Sequence, residues 1–218
     1  MRTGLVTAWL PCVALLAASV AAAGAAGREL VVDVRLAASA QLSSIARASL
    51  IREVNDIWQR EGVRLQWPFS PPADAVPDFA LRALVVQRES VTGNSVHQWP
   101  VGELLFDQSD NPVAVASIEA AERVLATAAR ADEPTALHER RLGVILGRAL
   151  AHEMGHYLLN TAGHARRGLM RASIDARDFA DLRSGAFFLD APAGEWIRGA
   201  VAPGASAQSR VARFLYAP

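Results

Sequence analysis

The spacing of hydrophobic and polar positions near the start of the chain predicts two strands around one helix. Residues 30–36, LVVDVRL, carry apolar side chains at every second position, which is typical of a half-buried strand. Residues 43–62 carry apolar side chains at helical spacing and end on Gly62, a residue suited to a left-handed helix stop. Residues 63–67, VRLQW, alternate again. A strand, a helix and a strand with short joins predict a right-handed crossover and a parallel pair.

Three further strands and two further helices are predicted downstream. The strands are residues 79–86, 102–106 (GELLF) and 112–117 (PVAVAS), and the helices are residues 118–131 and about 135–159. The alternation does not indicate how GELLF and PVAVAS pair. We therefore predict an α+β fold, with a small mixed twisted sheet, a long crossover helix and an active-site helix, in a single domain over residues 28–218.

The first 26 residues have the composition of a secretory signal peptide. One arginine, Arg2, precedes an uncharged apolar run that ends in small residues. We therefore predict a secreted or periplasmic protein, with a membrane anchor as the alternative if this segment stays uncleaved. The single cysteine, Cys12, lies within the segment, so the mature chain is expected to form no disulfide.

The charge balance argues against a polyanionic partner. The chain has 22 basic and 22 acidic residues, a net charge of 0, and no run of like charge. Proteins that bind nucleic acid or anionic membranes normally show such a run, so no nucleic-acid partner is predicted. All the basic residues are arginines, which excludes chemistry that depends on a lysine amine.

Candidate chemistry is concentrated in HEMGHYLLNTAGH, residues 152–164, at the end of the second long helix. His152 and His156 are four residues apart, so both project from one helix face and can reach one metal ion. Glu153 can act as a general base towards a water molecule bound to that metal. This spacing is typical of zinc hydrolases, so zinc is the predicted cofactor.

A catalytic zinc ion normally takes three protein ligands and leaves one position for water, so a third ligand is required. His164 is the first candidate, because Asn160 or Gly163 can adopt a left-handed conformation, stop the helix and turn the chain back. The alternatives are acidic residues further along the chain, Asp175, Asp178 and Asp181.

This segment resembles the HExxH zinc metallopeptidases and, among them, the metzincins, whose signature is HExxHxxGxxH followed by a methionine turn. The resemblance covers His152, Glu153, His156, His164 and Met170. The expected glycine is Leu159 here and the expected third histidine is Ala162, so His164 comes two residues late. The resemblance implies a zinc endopeptidase with Glu153 as base. Met170 then either forms an apolar floor beneath the zinc or packs as an ordinary core residue.

Two functions follow from these residues. The first is an exported zinc-dependent peptidase, whose peptide or protein substrate pairs with an edge strand, either GELLF or PVAVAS. The second is a zinc-stabilised secreted binding or scaffold protein, in which a residue such as Asp178 fills the fourth zinc position. Arg166, Arg167 and Arg171 either bind a substrate carboxylate or oxyanion or lie on a solvated loop. The sequence indicates neither the cleavage specificity nor the oligomeric state.

Overall fold

The computed structural model describes residues 30–38, 41–68, 76–87, 101–128, 132–183, 185–190 and 197. The predicted signal peptide, most of the polar loop before GELLF and the chain beyond residue 197 lie outside these ranges. None of the described helices is long and apolar enough to cross a membrane. The assignment of residues 28–218 to one domain stays a prediction.

The described chain is a mixed α+β structure with one five-stranded sheet. Its strands are β1 (Leu30–Ala38), β2 (Val63–Gln66), β3 (Phe79–Val86), β4 (Gly102–Phe106) and β5 (Pro112–Ser117), and its helices are α1 (Ser44–Gln59), α2 (Ile118–Ala128), α3 (Thr135–Leu159) and α4 (Ala176–Ala180). The strand order is β2-β1-β3-β5-β4. All neighbouring pairs are parallel except β4 with β5, so the predicted mixed sheet is confirmed.

The predicted crossover from β1 through α1 to β2 is confirmed. Leu30 lies opposite Val63 in the parallel pair of β1 and β2. Helix α1 begins after Ser43, whose hydroxyl accepts a hydrogen bond from the Ala46 N–H group and so caps the helix. Gly62, at φ +75°, adopts the left-handed conformation that turns the chain from α1 into β2.

Strand β4 forms one edge of the sheet. Strand β5 lies between β3 and β4, with Ala114 opposite Leu104 in the antiparallel pair. Of GELLF and PVAVAS, only GELLF, which is β4, therefore presents a side that no described strand covers. The alternative that an extended peptide pairs with PVAVAS is wrong, because β5 already has a neighbour on both sides.

Helix α3 is the central helix of the fold, and two of its three glycines allow it to touch the backbone of α1. From Leu142 to Leu158 nearly every side chain of α3 is buried. A Cβ atom added at Gly143 would lie 2.2 Å from the carbonyl oxygen of Ala46, and one at Gly147 would lie 2.8 Å from a carbonyl oxygen of the same helix. The close approach fixes the position of α3, and with it the segment that carries the histidines.

We expect Gly143→Ala to destabilise the protein by about 1–3 kcal/mol, because the added methyl group forces two backbones apart. Helix propensity alone predicts the opposite sign, with alanine favoured by about 1 kcal/mol. Gly185→Ala is the control, since a Cβ atom there meets nothing within 4 Å. The measurement is the free energy of unfolding in denaturant. A neutral or stabilising Gly143→Ala would contradict the close helix contact.

Arg148 on α3 is a fully buried cation, with only 1% of its surface exposed. Its Nε donates a hydrogen bond of 2.7 Å to the carboxylate of Glu53 on α1. Its terminal nitrogens donate to three backbone carbonyls at the end of α4, those of Asp178 (3.0 Å), Phe179 (2.8 Å) and Asp181 (2.9 Å). One guanidinium group thus joins the central helix to α1 and to α4.

We expect Arg148→Met to reduce the free energy of unfolding by about 3–5 kcal/mol, because it leaves a largely buried carboxylate without its cation. The matched control is Arg47→Met on the exposed face of α1, which should change stability by less than about 0.5 kcal/mol. Both are measured by denaturant unfolding. Equal effects of the two substitutions would show that the buried network contributes little.

Candidate metal centre

The last turns of α3 bring the first two histidines together, as their spacing predicts. The Nε2 atoms of His152 and His156 are 3.0 Å apart, and their rings meet edge to face with centroids 4.7 Å apart. His156 is buried and His152 is half-buried. Both rings therefore point one nitrogen at the same small volume beside the helix.

A left-handed turn brings the third histidine back to the first two. Asn160 ends α3 with φ 51° and ψ 50°, and its N–H group donates to carbonyls of the last helical turn. The next turn is held by the hydroxyl of Thr161, which accepts a hydrogen bond from the N–H group of Gly163 at 3.0 Å. Of the two residues predicted to allow this turn, Asn160 has the positive φ and Gly163 does not.

The three imidazoles form a cluster that can hold one metal ion. The ring of His164 is stacked 5.4 Å from that of His152 and lies edge to face 4.9 Å from that of His156. One ligand nitrogen from each ring lies within 4.8 Å of the other two. Three histidines in this arrangement suit a transition metal that accepts imidazole nitrogen.

Backbone carbonyls set the orientation of the two helical histidines. The Nδ1 atom of His152 lies 2.8 Å from the carbonyl oxygen of Leu169, and that of His156 lies 2.8 Å from the carbonyl oxygen of Thr161. Because a carbonyl oxygen only accepts, each Nδ1 carries the proton and each Nε2 presents its lone pair to the cluster. Metal-binding histidines typically have such partners behind them.

The protonation behaviour of these rings also suits a metal. Burial lowers the pKa of His152 to about 4, with a further contribution from the neighbouring imidazoles. Burial likewise lowers the pKa of His156 below its ordinary value. A metal ion binds only the neutral ring, so near pH 7 little proton release is needed at either position.

Glu153 lies next to the cluster in an enclosed position, 8% exposed. Burial, together with the negative charge of Glu103 on β4, raises the pKa of its carboxyl group to about 8. Gly102 makes room for this side chain, because a Cβ atom at Gly102 would lie 3.0 Å from Glu153 Oε1. The carboxyl group is thus held between α3 and the edge strand, with a raised proton affinity.

Met170 lies against the helix that carries the histidines. It is buried, and a Cβ atom at Gly155 would lie 2.3 Å from its sulfur atom. Gly155 directly precedes His156, so the thioether fills the space next to the second histidine. Gly155 and Met170 pack directly against each other, so Met170 has a specific packing partner on α3.

A cleft of about 900 Å³ opens beside the histidines and Glu153. Its walls come from β4, α2, α3 and the segment leading into α4, and their apolar side chains include Val101, Leu104, Val124, Ala149, Ile174 and Phe179. Clefts of this size and composition are typical of sites for small molecules or peptide side chains. The cleft adjoins Glu153 and the candidate metal ligands, so a bound molecule would contact all of these side chains.

The acidic alternatives for the third ligand are not in the cluster. Among the described residues, the group able to hold a metal contains only His152, His156 and His164. The carboxylate of Asp175 caps α4 by accepting from the Arg177 N–H group. Asp178 and Asp181 are exposed, and their backbone carbonyls bind the buried arginine of α3.

The other residues considered from the sequence fall into two groups. Arg171 lines the cleft, whereas Arg166 and Arg167 are exposed. His138 is paired with Glu122 at 3.0 Å, away from the cluster. The sequence predicted β4 as a strand but did not predict that β4 contacts α3. In the structure, Gly102 and Glu103 of β4 lie near Glu153.

Comparisons of the chain with models of known protein families, with curated proteins and with solved structures found no match. The function is therefore inferred from the geometry of this centre.

We expect His164→Ala to weaken zinc binding by about a hundredfold or more, since losing even a group behind a metal ligand costs about 10- to 100-fold. Asp178→Ala and His138→Ala should leave the affinity unchanged. The measurement is competition for zinc against a chromophoric chelator. If Asp178→Ala weakened binding as much as His164→Ala, the third ligand would be the carboxylate.

Proposed function

We propose that the protein is an exported zinc-dependent peptidase that hydrolyses peptide bonds with Glu153 as the general base. The observation that carries the proposal is the enclosed carboxyl group of Glu153 beside a cluster of three histidines, at the wall of an open cleft. A structural metal site has no need of such a group. Catalytic zinc sites, by contrast, use three protein ligands and a neighbouring base.

The donor set fits zinc. Three imidazole nitrogens converge, and His152 and His156 are held by backbone carbonyls from behind. Three protein ligands leave one tetrahedral position for water or substrate. Bound zinc would supply a Lewis acid that polarises the substrate carbonyl and lowers the pKa of a water molecule.

The residues of the chain supply proton transfer. Glu153 takes a proton from the attacking water on a carboxylate oxygen and later gives it to the leaving amine. In the metal-free site burial raises the pKa of Glu153 to about 8, so the carboxyl group is mostly protonated at neutral pH, and the positive charge of bound zinc would favour the carboxylate form that accepts the proton. The surrounding apolar walls restrict access of other water to the reacting groups.

Strand β4 supports the binding of an extended substrate. It is an edge strand, and at Gly102 it directly contacts the side chain of Glu153. A peptide paired with β4 by backbone hydrogen bonds would therefore pass beside the base with its side chains alternating in direction. One side chain in every two could then enter the cleft.

The metzincin-like interpretation is retained as part of this proposal. It is supported by the order of strands and helices before the site, by the His152, Glu153 and His156 spacing and by the packing of Met170 against Gly155. The third histidine departs from the signature by two residues, and in this chain α3 continues through Leu159 with the left-handed residue at Asn160.

The alternative, a zinc-stabilised binding or scaffold protein, requires a fourth ligand from the protein. Asp178 was the candidate, and it lies outside the cluster of potential ligands. The open cleft next to the histidines also favours turnover over a closed structural site.

We expect the zinc-loaded mature chain to cleave members of a mixed peptide library, and Glu153→Ala to reduce kcat by about 10²- to 10⁴-fold while zinc stays bound. The control is Glu139→Ala, at the start of the same helix and far from the histidines in sequence. Mass spectrometry of the products measures the rates. Zinc binding without any cleavage by the wild-type chain would count against a peptidase and favour the binding protein.

A further inference from the structure

Arg171 is a cation in the cleft to which the proposed proton transfer gives no role. Its backbone forms a bridge with Ala165, the residue that follows His164. Its side chain lines the same cleft as His152. The guanidinium group is therefore placed beside the candidate metal centre by the same turn that carries the third histidine.

One end of this guanidinium group is held by the protein and the other is not. Its Nε donates a hydrogen bond of 3.2 Å to the carbonyl oxygen of Gly168. Its Nη2 atom is buried and has no hydrogen-bond partner among the described residues. A buried cationic donor is rarely left unpaired, because it has lost its water without a replacement. The unpaired nitrogen is covered by neighbouring atoms, so a ligand carboxylate in the cleft would pair with it after a small shift of the side chain.

The chemistry of the cleft selects the kind of group. A guanidinium donates in a planar fork that matches a carboxylate, and the surrounding apolar side chains, such as Ile174 and Phe179, strengthen a charged pair. Glu103, on the edge strand, contributes a negative charge to the same cleft and would repel a carboxylate from its own side. Arg123 on α2 lines the cleft as well, and it is Arg171 that the turn carrying His164 places beside the candidate metal centre.

We propose that Arg171 binds a carboxylate group of the substrate, so that the protein prefers peptides with a negative charge close to the bond that is cleaved. The cleavage of the bound peptide rests on the proposed peptidase function, but the binding of its carboxylate does not. The carboxylate has two possible sources, an acidic side chain or the free C-terminus of a short peptide.

The test measures dissociation constants by calorimetry on the Glu153→Ala protein, with and without zinc, so that the result does not depend on turnover. The probes are N-acetylated tetrapeptides of alanine and leucine in three forms. The first has a free C-terminal carboxylate, the second is amidated, and the third set is amidated with glutamate at each position in turn. Tighter binding of the peptide with a free C-terminus would identify the chain terminus as the source of the carboxylate. Tighter binding of an amidated peptide with glutamate would identify a side chain.

We expect at least one carboxylate form to bind about tenfold to a hundredfold more tightly than the uncharged peptide, the range of a charge-assisted hydrogen bond. Arg171→Met should abolish this preference, and Arg171→Lys should keep part of it, because lysine retains the charge but not the fork. Arg166→Met, an exposed arginine of the same loop, should leave the preference intact.

Three results would overturn the proposal: no carboxylate form binds more tightly than the amide, the preference survives Arg171→Met, or Arg166→Met removes it equally. Zinc content and circular dichroism confirm that each variant is folded, and Arg171→Gln, which also removes the charge, replaces Arg171→Met if the latter does not fold. A wild-type chain that binds the acidic peptide through Arg171 but never cleaves it would refute the peptidase and leave the carboxylate site standing.

Discussion

The pairing of Arg148 with Glu53 and with the end of α4 is the interaction on which the arrangement of the site depends. Arg148 lies one helical turn before His152, so the part of α3 that carries the candidate metal ligands also binds α1 and α4. Its guanidinium lies 4.1 Å from the centroid of the Phe187 ring, beyond α4. An arginine in the core is tolerable only when its nitrogens have partners, and here the carboxylate and the carbonyls accept hydrogen bonds from four of its five N–H groups.

The same network links helix packing to the shape of the cleft. The carbonyls at the end of a helix have no partner within it, and at α4 the guanidinium supplies one. This fixes Phe179, which forms part of the cleft wall. Next to Arg148, close contact at Gly143 and Gly147 sets the distance between α3 and α1. Ligand geometry and cleft geometry are therefore consequences of how one helix is held.

Local periodicity was sufficient to predict the elements, and long-range contacts were not readable from it. The alternation in residues 30–36 and the helical spacing in residues 43–62 predicted β1, α1 and their parallel partner. The order of β4 and β5 could not be predicted, because two short apolar strands carry no signal for which one lies at the edge. The burial of Arg148 could not be predicted either, because a helix that is buried on nearly all sides has no polar face against which a buried arginine would stand out.

The first two histidines and Glu153 followed from the helix repeat, whereas the position of His164 depends on a turn whose geometry is not fixed by spacing. The turn places the left-handed residue at Asn160, and the backbone carbonyls of Leu169 and Thr161, which follow it, accept from His152 and His156. The number of residues between the helix and the third histidine is therefore not fixed by the helix repeat. His164 is exposed while His156 is buried, so its place in the cluster depends mainly on how well this outer turn is held.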